Sequence, residues 1–325
     1  MRKSKTRFFI GFIIAISIIV GSVFGGYLII DKILVPKYFN EYGINNLKEL
    51  VSIVQTIYVV PNEKDFITNP YTGYDKDTAT NKLTLAGFPT LSNGNIDYES
   101  ISKNDFTFTP DDSFIDDFIL LSDKEVASIA SDIMNSGILE SNYPDLAYIN
   151  TLNIELKQII ISPNDKTLTE NPKRTDPKTN KESQETKILA TTKDAKITLT
   201  LKLDTESARK QISTNLNMPM FLVDWIIPDI IYVTCTMDTT IDKDTNSRIY
   251  ENATLSINSK TAKQSEVLLN LLISFIFPEN TFTIEEFANE LGSLAIDGIN
   301  MMGEMEFVSI DTILNTPLYG IKLYI

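Results

Sequence analysis

A run without a single charged side chain, from Phe8 to Ile30, constrains this chain more than any other feature. As an α-helix it is long enough to cross the ~30 Å hydrocarbon core of a bilayer. The basic stretch MRKSKTR precedes it, which favours a cytoplasmic N-terminus. A cleaved signal peptide is the alternative, but the run is long and no A-x-A-like cleavage site follows it. We therefore predict a cytoplasmic tail over 1–7, an uncleaved single-pass membrane anchor over 8–30, and an extracytoplasmic remainder.

The composition of the chain argues against several functions. Its formal net charge is -14 over 325 residues, whereas a nucleic-acid surface needs clustered Lys and Arg. The sequence contains no histidine, which removes Ser-His-Asp catalysis, Cys-His catalysis and His-ligated zinc. The single cysteine, Cys235, alternates in phase with Val233 and Met237, as a buried core thiol would. We expect a non-enzymatic protein with no cofactor and no nucleic-acid partner.

Two stretches, LSDKEVASIASDI and FTIEEFANELGSL, align without a gap and begin two helices in the same way. Each opens with a capping box, Ser122 with Glu125 in the first and Thr283 with Glu286 in the second. Alternating apolar and polar residues follow each helix and indicate antiparallel strand pairs. These strands are LNIELKQIII and AKITLTLKL after the first helix, and EMEFVSI and YGIKLYI after the second.

A further pair of alternating segments, IYVTCTMDTTI and RIYENATLSIN, lies between those two units, with helical segments on either side near 206–216 and 262–277. The predicted order from Leu121 is therefore α-β-β-α-β-β-α-α-β-β. This order predicts an α+β fold, a curved antiparallel sheet packed on helices. Duplication of one helix-plus-strands unit would explain the two similar helices. The alternative is the general similarity of capped amphipathic helices, since the aligned stretches share only two identities.

Composition shifts divide the chain into regions. Residues 31–120 are predicted to form a helical stalk, or alternatively the first helix of the domain, and then an irregular region, in which LTLAGF and DFTFTP are weak strand signals. Residues 121–325 are predicted to form the α+β ectodomain. Within it, the segment 163–187 is polar, charged and proline-bearing. Such a segment cannot bury enough apolar surface to offset the entropy of ordering. We therefore predict a mobile hairpin loop between two strands.

Two acidic clusters are the remaining candidates for metal chemistry. The first is TPDDSFIDDF, and the second, DKDTN, begins like a calcium-binding loop, D-x-D-x-N. Ser247 stands where that loop needs its central glycine, and Ala253 stands where it needs its last glutamate. We interpret the second cluster as a solvated hairpin turn and the first as an exposed loop or helix start. The sequence predicts no metal site.

The stretch LNMPMFLVDWIIPDIIYV, residues 216–233, is the least ordinary part of the chain, because it is densely apolar and holds the only tryptophan. Pro219 and Pro228 stop one regular helix from burying all of it. Its side chains are either ordinary core or the lining of a groove for an apolar ligand. On the second interpretation the candidate ligand-binding residues are Phe221, Trp225 and Ile226.

The helix start LSDKEVASIA and the order of elements over 121–325 resemble the TULIP-type lipid-binding superfamily, in which a long helix packs in a curved antiparallel sheet. The resemblance rests on element order and implies an elongated hydrophobic groove that carries or senses a lipid-like molecule. The predicted function is a membrane-anchored extracytoplasmic protein of the cell envelope that binds a lipid-like or other apolar ligand. The alternative is a protein-interaction subunit of an envelope complex, whose apolar stretches contact a partner protein.

Overall fold

The computed structural model describes residues 26–40, 43–57, 75–114, 116–136, 138, 154–164, 167, 169–170, 187–215, 217–258, 284–311 and 318–325. Over these ranges the chain has an α+β fold with two antiparallel sheets packed on helices, which confirms the α+β part of the predicted fold class. No helix within the described ranges is long and apolar enough to cross a membrane. Most of the predicted anchor, residues 8–25, lies outside those ranges, and so does the helix predicted near 262–277.

A π-helical turn, Ile30–Leu34, leads into the first α-helix. The α-helices are α1 (Val35–Phe39), α2 (Leu47–Ile57), α3 (Lys76–Leu85), α4 (Tyr98–Ser102), α5 (Asp123–Asn135), α6 (Glu206–Asn215), α7 (Met220–Ile226) and α8 (Ile284–Asn300). The strands are β1 (Phe118–Ser122), β2 (Ile154–Pro163), β3 (Thr169–Glu170), β4 (Lys187–Thr192), β5 (Ala195–Asp204), β6 (Ile230–Ile241), β7 (Arg248–Ile257), β8 (Met305–Asp311) and β9 (Leu318–Tyr324).

The strands form two antiparallel sheets. Sheet I has the order β1-β9-β8-β4-β3, in which β3 is only two residues long, and sheet II has the order β2-β5-β6-β7. Only Lys193 and Asp194 separate β4 from β5. One nearly continuous stretch of chain therefore leaves sheet I and enters sheet II, so the two sheets meet at this corner.

Helix α5 begins at the capping box that the sequence predicts. The Ser122 hydroxyl accepts a hydrogen bond from the Glu125 N–H (3.4 Å), and the Glu125 carboxylate accepts one from the Ser122 N–H (2.7 Å). The helix packs against β2 and α8 and also contacts strands of sheet I. A Cβ added at Gly298 of α8 would lie 3.2 Å from Ile133 of α5, so the two helices approach closely. Thr283 lies outside the described residues, so the second capping box stays a prediction.

Sheet II follows the predicted alternation. Along β5 the apolar residues are buried, namely Ile197, Leu199, Leu201 and Leu203, while Lys196 is exposed. Strand β2 pairs with β5 in antiparallel register from Ile154 opposite Leu203 to Pro163 opposite Ala195. A bulge between Leu156 and Gln158 inserts one extra residue into β2. The prediction that LNIELKQIII and AKITLTLKL pair with each other is confirmed.

The region before β1 contains helices where the sequence suggested short strands. The stretch LTLAGF ends helix α3, and its residue Leu83 is fully buried. The Asp75 carboxylate starts this helix by accepting a hydrogen bond from the Thr78 N–H (3.3 Å). The strand interpretation was wrong because a capped helix buries Leu83 and packs against α5. In DFTFTP, Phe106 and Phe108 have no strand partner and instead contact Phe88, with ring centroids 6.1 and 5.1 Å from it.

The predicted mobile loop, residues 163–187, is described only in part. Pro163 ends β2, and Lys187 begins β4. Between them, residues 169–170 form β3, which pairs with β4 at the edge of sheet I. Residues 171–186 lie outside the described ranges, so the mobility of the segment stays a prediction.

Candidate functional site

Helix α7 carries the residues that the sequence singled out, and prolines delimit it on both sides. Pro219 occupies the position before its first turn, and the Pro219 carbonyl accepts a hydrogen bond from the Leu222 N–H (2.9 Å). At the other end Ile227 is already extended, and Pro228 follows before β6 begins. A proline cannot continue a helix beyond its first turn, so the helix is held to seven residues.

The two sides of α7 differ sharply in exposure. Leu222, Val223 and Ile226 are buried in the core, and Ile226 is only 3% exposed. Phe221 and Trp225 are 64% and 39% exposed. They are four residues apart, so they lie on the same side of the helix. The structure therefore brings Phe221 and Trp225 together as an exposed pair, the α7 aromatic face, and places Ile226 away from them in the core.

Arg209 holds α7 in place from the side. This residue of α6 donates to Asp224 of α7 (Nη1 to Oδ1, 3.0 Å) and pairs with Asp229 just before β6 (Nη2 to Oδ1, 2.6 Å). The Thr205 hydroxyl donates to the carbonyl of Pro228 (2.5 Å). These bonds connect the C-terminal half of the short helix, and the residues that follow it, to α6 and to the residue before α6.

The N-terminal segment reaches the start of α7. The Tyr38 hydroxyl of α1 donates to the carbonyl of Asn217 (3.0 Å). Val35 and Phe39, on the same helix, are buried in the core. Just before them, Asp31 is buried and accepts a hydrogen bond from the N–H of Leu47 at the start of α2 (2.7 Å). That N–H, together with the neighbouring Lys32 ammonium, lowers the pKa of Asp31 from its ordinary value.

A polar cavity of about 550 Å³ lies at the other end of sheet II. Its lining includes Asn164, Asp194, Lys196, Asp238 and Glu251. The carboxylates of Asp194 and Asp238 accept hydrogen bonds from Thr240 (2.5 Å) and Asn252 (3.0 Å). These bonds join neighbouring strands and turns to one another. The carboxylates in the lining therefore have a structural role, and the cavity forms where the ends of the hairpins pack together.

The structure confirms the sequence interpretation of the DKDTN stretch. The Asp242 carboxylate accepts hydrogen bonds from the N–H groups of Asp244 (2.7 Å) and Thr245 (2.9 Å), as in a tight turn between β6 and β7. These donors lower the pKa of Asp242. Among the described residues, no group of three or more acidic or cysteine side chains is arranged to hold a metal ion.

Cys235 lies in the core, as the alternation of its strand predicts. Its side chain is fully buried in β6, and burial raises the pKa of the thiol to about 12. A thiol in that state is neither a nucleophile nor a metal ligand at neutral pH, because both roles require the thiolate.

Comparison with family models, with curated proteins and with solved structures finds no match for this chain. Phe221 and Trp225 could be singled out from the sequence, whereas Tyr38 could not. The only sequence signal for it is a tyrosine shortly after the predicted anchor, because its contact with Asn217 joins segments 179 residues apart.

Proposed function

We propose that this chain is a membrane-anchored extracytoplasmic protein without enzymatic activity, and that it binds a lipid-like or other apolar ligand at the α7 aromatic face. The observation that carries the proposal is the exposure of Phe221 and Trp225 on a helix whose other side is core. Large aromatic side chains contribute strongly to binding when a partner removes them from water. Exposed apolar patches on soluble domains commonly mark binding sites.

The membrane anchor is supported by the charge-free run over 8–30 and by the segment that follows it. Residues 26–29 are helical and continue directly into the π-helical turn and α1. The apolar side chains of Tyr27, Leu28, Ile29 and Ile33 are exposed to solvent on this segment. Such exposure would be removed if this helix continued from a membrane span.

We propose that the ectodomain consists of two related helix-plus-strands units with curved sheets. The support is that α5 and α8 pack against each other and that each precedes antiparallel strands. The units differ in their pairing. After α8, β8 and β9 pair directly in sheet I, whereas after α5 the partner of β2 is β5, with β3 and β4 inserted between them.

A protein partner is the competing occupant of the same surface, as part of an envelope complex. The exposed aromatic pair alone fits either occupant, because Trp and Phe anchor protein interfaces as well as lipids. Mass spectrometry of organic extracts from the purified ectodomain, residues 32–325, distinguishes the two, because this part of the chain lacks the predicted anchor around which membrane lipid would co-purify. A co-purified lipid-like compound supports the proposal, and a clean extract together with a stoichiometric protein partner contradicts it.

The residue-level test uses a fluorescent fatty-acid probe and the variant Trp225→Ala. A core tryptophan cut to alanine typically costs ~3–5 kcal/mol of stability. We expect this variant to lose less than about 1.5 kcal/mol, because the Trp225 side chain is already partly in water, and to bind the probe at least about tenfold more weakly.

The matched control is Leu91→Ala, which removes an exposed apolar side chain elsewhere in the chain. It should leave probe affinity unchanged. Severe destabilisation of Trp225→Ala would instead identify Trp225 as ordinary core, and unchanged affinity would remove it from the binding site.

A further inference from the structure

The folded domain begins immediately after the predicted anchor. Asp31, the first residue beyond Ile30, is buried and bonded to the N–H of Leu47. Val35 and Phe39, within the next three turns, are also buried in the core. Because the helix runs without interruption from residue 26 to Phe39, no slack separates the predicted anchor from the domain. A domain attached in this way has one end held at the bilayer surface.

The Tyr38 hydrogen bond places the start of α7 at that end. Tyr38 is eight residues beyond Ile30, about 12 Å of helix. Side chains on a helix tilt towards its N-terminus, so the Tyr38 side chain is inclined back towards the predicted anchor. Its hydroxyl meets the carbonyl of Asn217, three residues before Met220 begins α7. Helix α7 therefore lies beside the segment that emerges from the predicted anchor.

The side chains at this end suit a membrane interface. The exposed aromatic and aliphatic groups are Tyr27, Leu28, Ile29 and Ile33 on the emerging helix, with Phe221 and Trp225 on α7. Aromatic side chains, tryptophan above all, favour the headgroup level of a bilayer. Lys32 and Lys37 are also exposed on the emerging helix. The Lys32 ammonium pairs there with the Asp31 carboxylate (3.0 Å), so this end of the domain is suited to the interface by its apolar side chains and not by a net positive charge.

The end of the domain that lies farthest from α7 along strand β6 is polar. Strand β6 starts just after α7 and runs for 12 residues, about 40 Å. It ends in the exposed, charged turn that contains Asp242, Lys243 and Asp244. One end of the domain thus presents exposed apolar groups next to the predicted anchor, and the other end carries a charged turn.

We propose that the α7 aromatic face rests in the headgroup region of the extracytoplasmic leaflet, beside the anchor, and that the occupant of this face is the bilayer itself. This inference rests on the proposed membrane anchor. It deepens the proposed function by naming the source of the lipid-like ligand, which the protein meets at the bilayer surface and does not receive from water.

The test exploits the fact that Trp225 is the only tryptophan in the chain, so that all tryptophan emission reports on α7. The full-length protein is reconstituted into phosphatidylcholine vesicles with or without bromine atoms near the headgroup end of the acyl chains. We expect Trp225 to lose most of its emission in the brominated vesicles and to be shielded from iodide in the water. The control is the double variant Trp225→Phe, Lys243→Trp, which moves the reporter to the far turn and should give the opposite result.

The outcomes separate the inference from the proposal on which it rests. Protein that fails to float with vesicles contradicts the anchor. Protein that floats, but whose Trp225 is unquenched by bromine and open to iodide, overturns the bilayer contact while the anchor stands. Equal bromine quenching at both reporters overturns it too, because the domain would then lie flat. Quenching that saturates at one brominated lipid per protein, in an otherwise unbrominated bilayer, would identify a single bound lipid and also overturns it.

Discussion

The ion pair between Lys82 of α3 and Glu125 of α5 offers a test of how the helix before β1 packs against the helix after it. The Lys82 ammonium lies 2.8 Å from the Glu125 carboxylate and also donates to the carbonyl of Leu120 (2.8 Å). The two side chains differ greatly in exposure, 37% for Lys82 and 4% for Glu125. The pair should therefore respond very differently to the loss of one partner or the other.

Lys82→Met leaves the Glu125 carboxylate buried without its cation. Of the hydrogen bonds described for this carboxylate, only the one from the Ser122 N–H then remains. Removing one partner of a buried ion pair costs about 3–5 kcal/mol, because an uncompensated charge stays out of water. Glu125→Gln removes the same attraction but leaves the ammonium, which already reaches water. Glutamine also retains the capping-box hydrogen bond. We expect this second variant to cost about 1 kcal/mol or less, as exposed pairs do.

The assay is urea unfolding of the purified full chain, followed by far-UV circular dichroism. The control is Lys76→Met, which breaks a 3.0 Å ion pair to Asp132 between the same two helices. Those side chains are 47% and 30% exposed, so the loss should stay below about 1 kcal/mol. The reasoning is refuted if Glu125→Gln, or the Lys76 control, proves as costly as Lys82→Met.

Two further predictions concern Asp123 and Gly320. Burial raises the pKa of Asp123 to about 6, so the folded state holds this proton more tightly, and the contribution of Asp123 to the free energy of unfolding should fall as pH rises from about 4 to about 6. Asp123→Asn should remove that decline, and its free energy of unfolding should exceed that of the wild type by on the order of 1 kcal/mol at neutral pH. The measurement is chemical denaturation of both proteins at each pH, and a constant difference between them across the pH range would contradict the prediction. A side chain at Gly320 would overlap the carbonyl oxygen of Leu121, which strand pairing fixes, so Gly320→Ala should cost about 3 kcal/mol in thermal or urea unfolding. A Cβ at Gly292 would overlap the thioether end of Met237, which can move, and would make an ordinary contact with the Tyr250 ring at 3.4 Å, so Gly292→Ala should cost less than Gly320→Ala. A larger cost for Gly292→Ala would show that the β1–β9 backbone shifts to accept a side chain at Gly320.

Features that depend on neighbours in sequence could be predicted without the structure. The capping box at Ser122, the alternation of β5 and the turn at Asp242 each follow from contacts within a few residues. The fold class follows from them as well, because single-sided alternation is typical of an antiparallel sheet covered on one face, and the amphipathic helices between the strands can cover it. Cys235 was placed in the core by the same period-two argument.

Other features depend on contacts between segments that are distant in the sequence, and only the tertiary structure determines them. Both sides of α7 are apolar, so periodicity could not tell which side meets the core; packing buried Ile226 and left Phe221 and Trp225 exposed. The crossing from sheet I to sheet II at residues 193–194 has no local signal, because a strand alternates in the same way whichever sheet it joins. The contact of Tyr38 with Asn217, which places α7 beside the emerging helix, likewise exists only once both segments have folded onto one core.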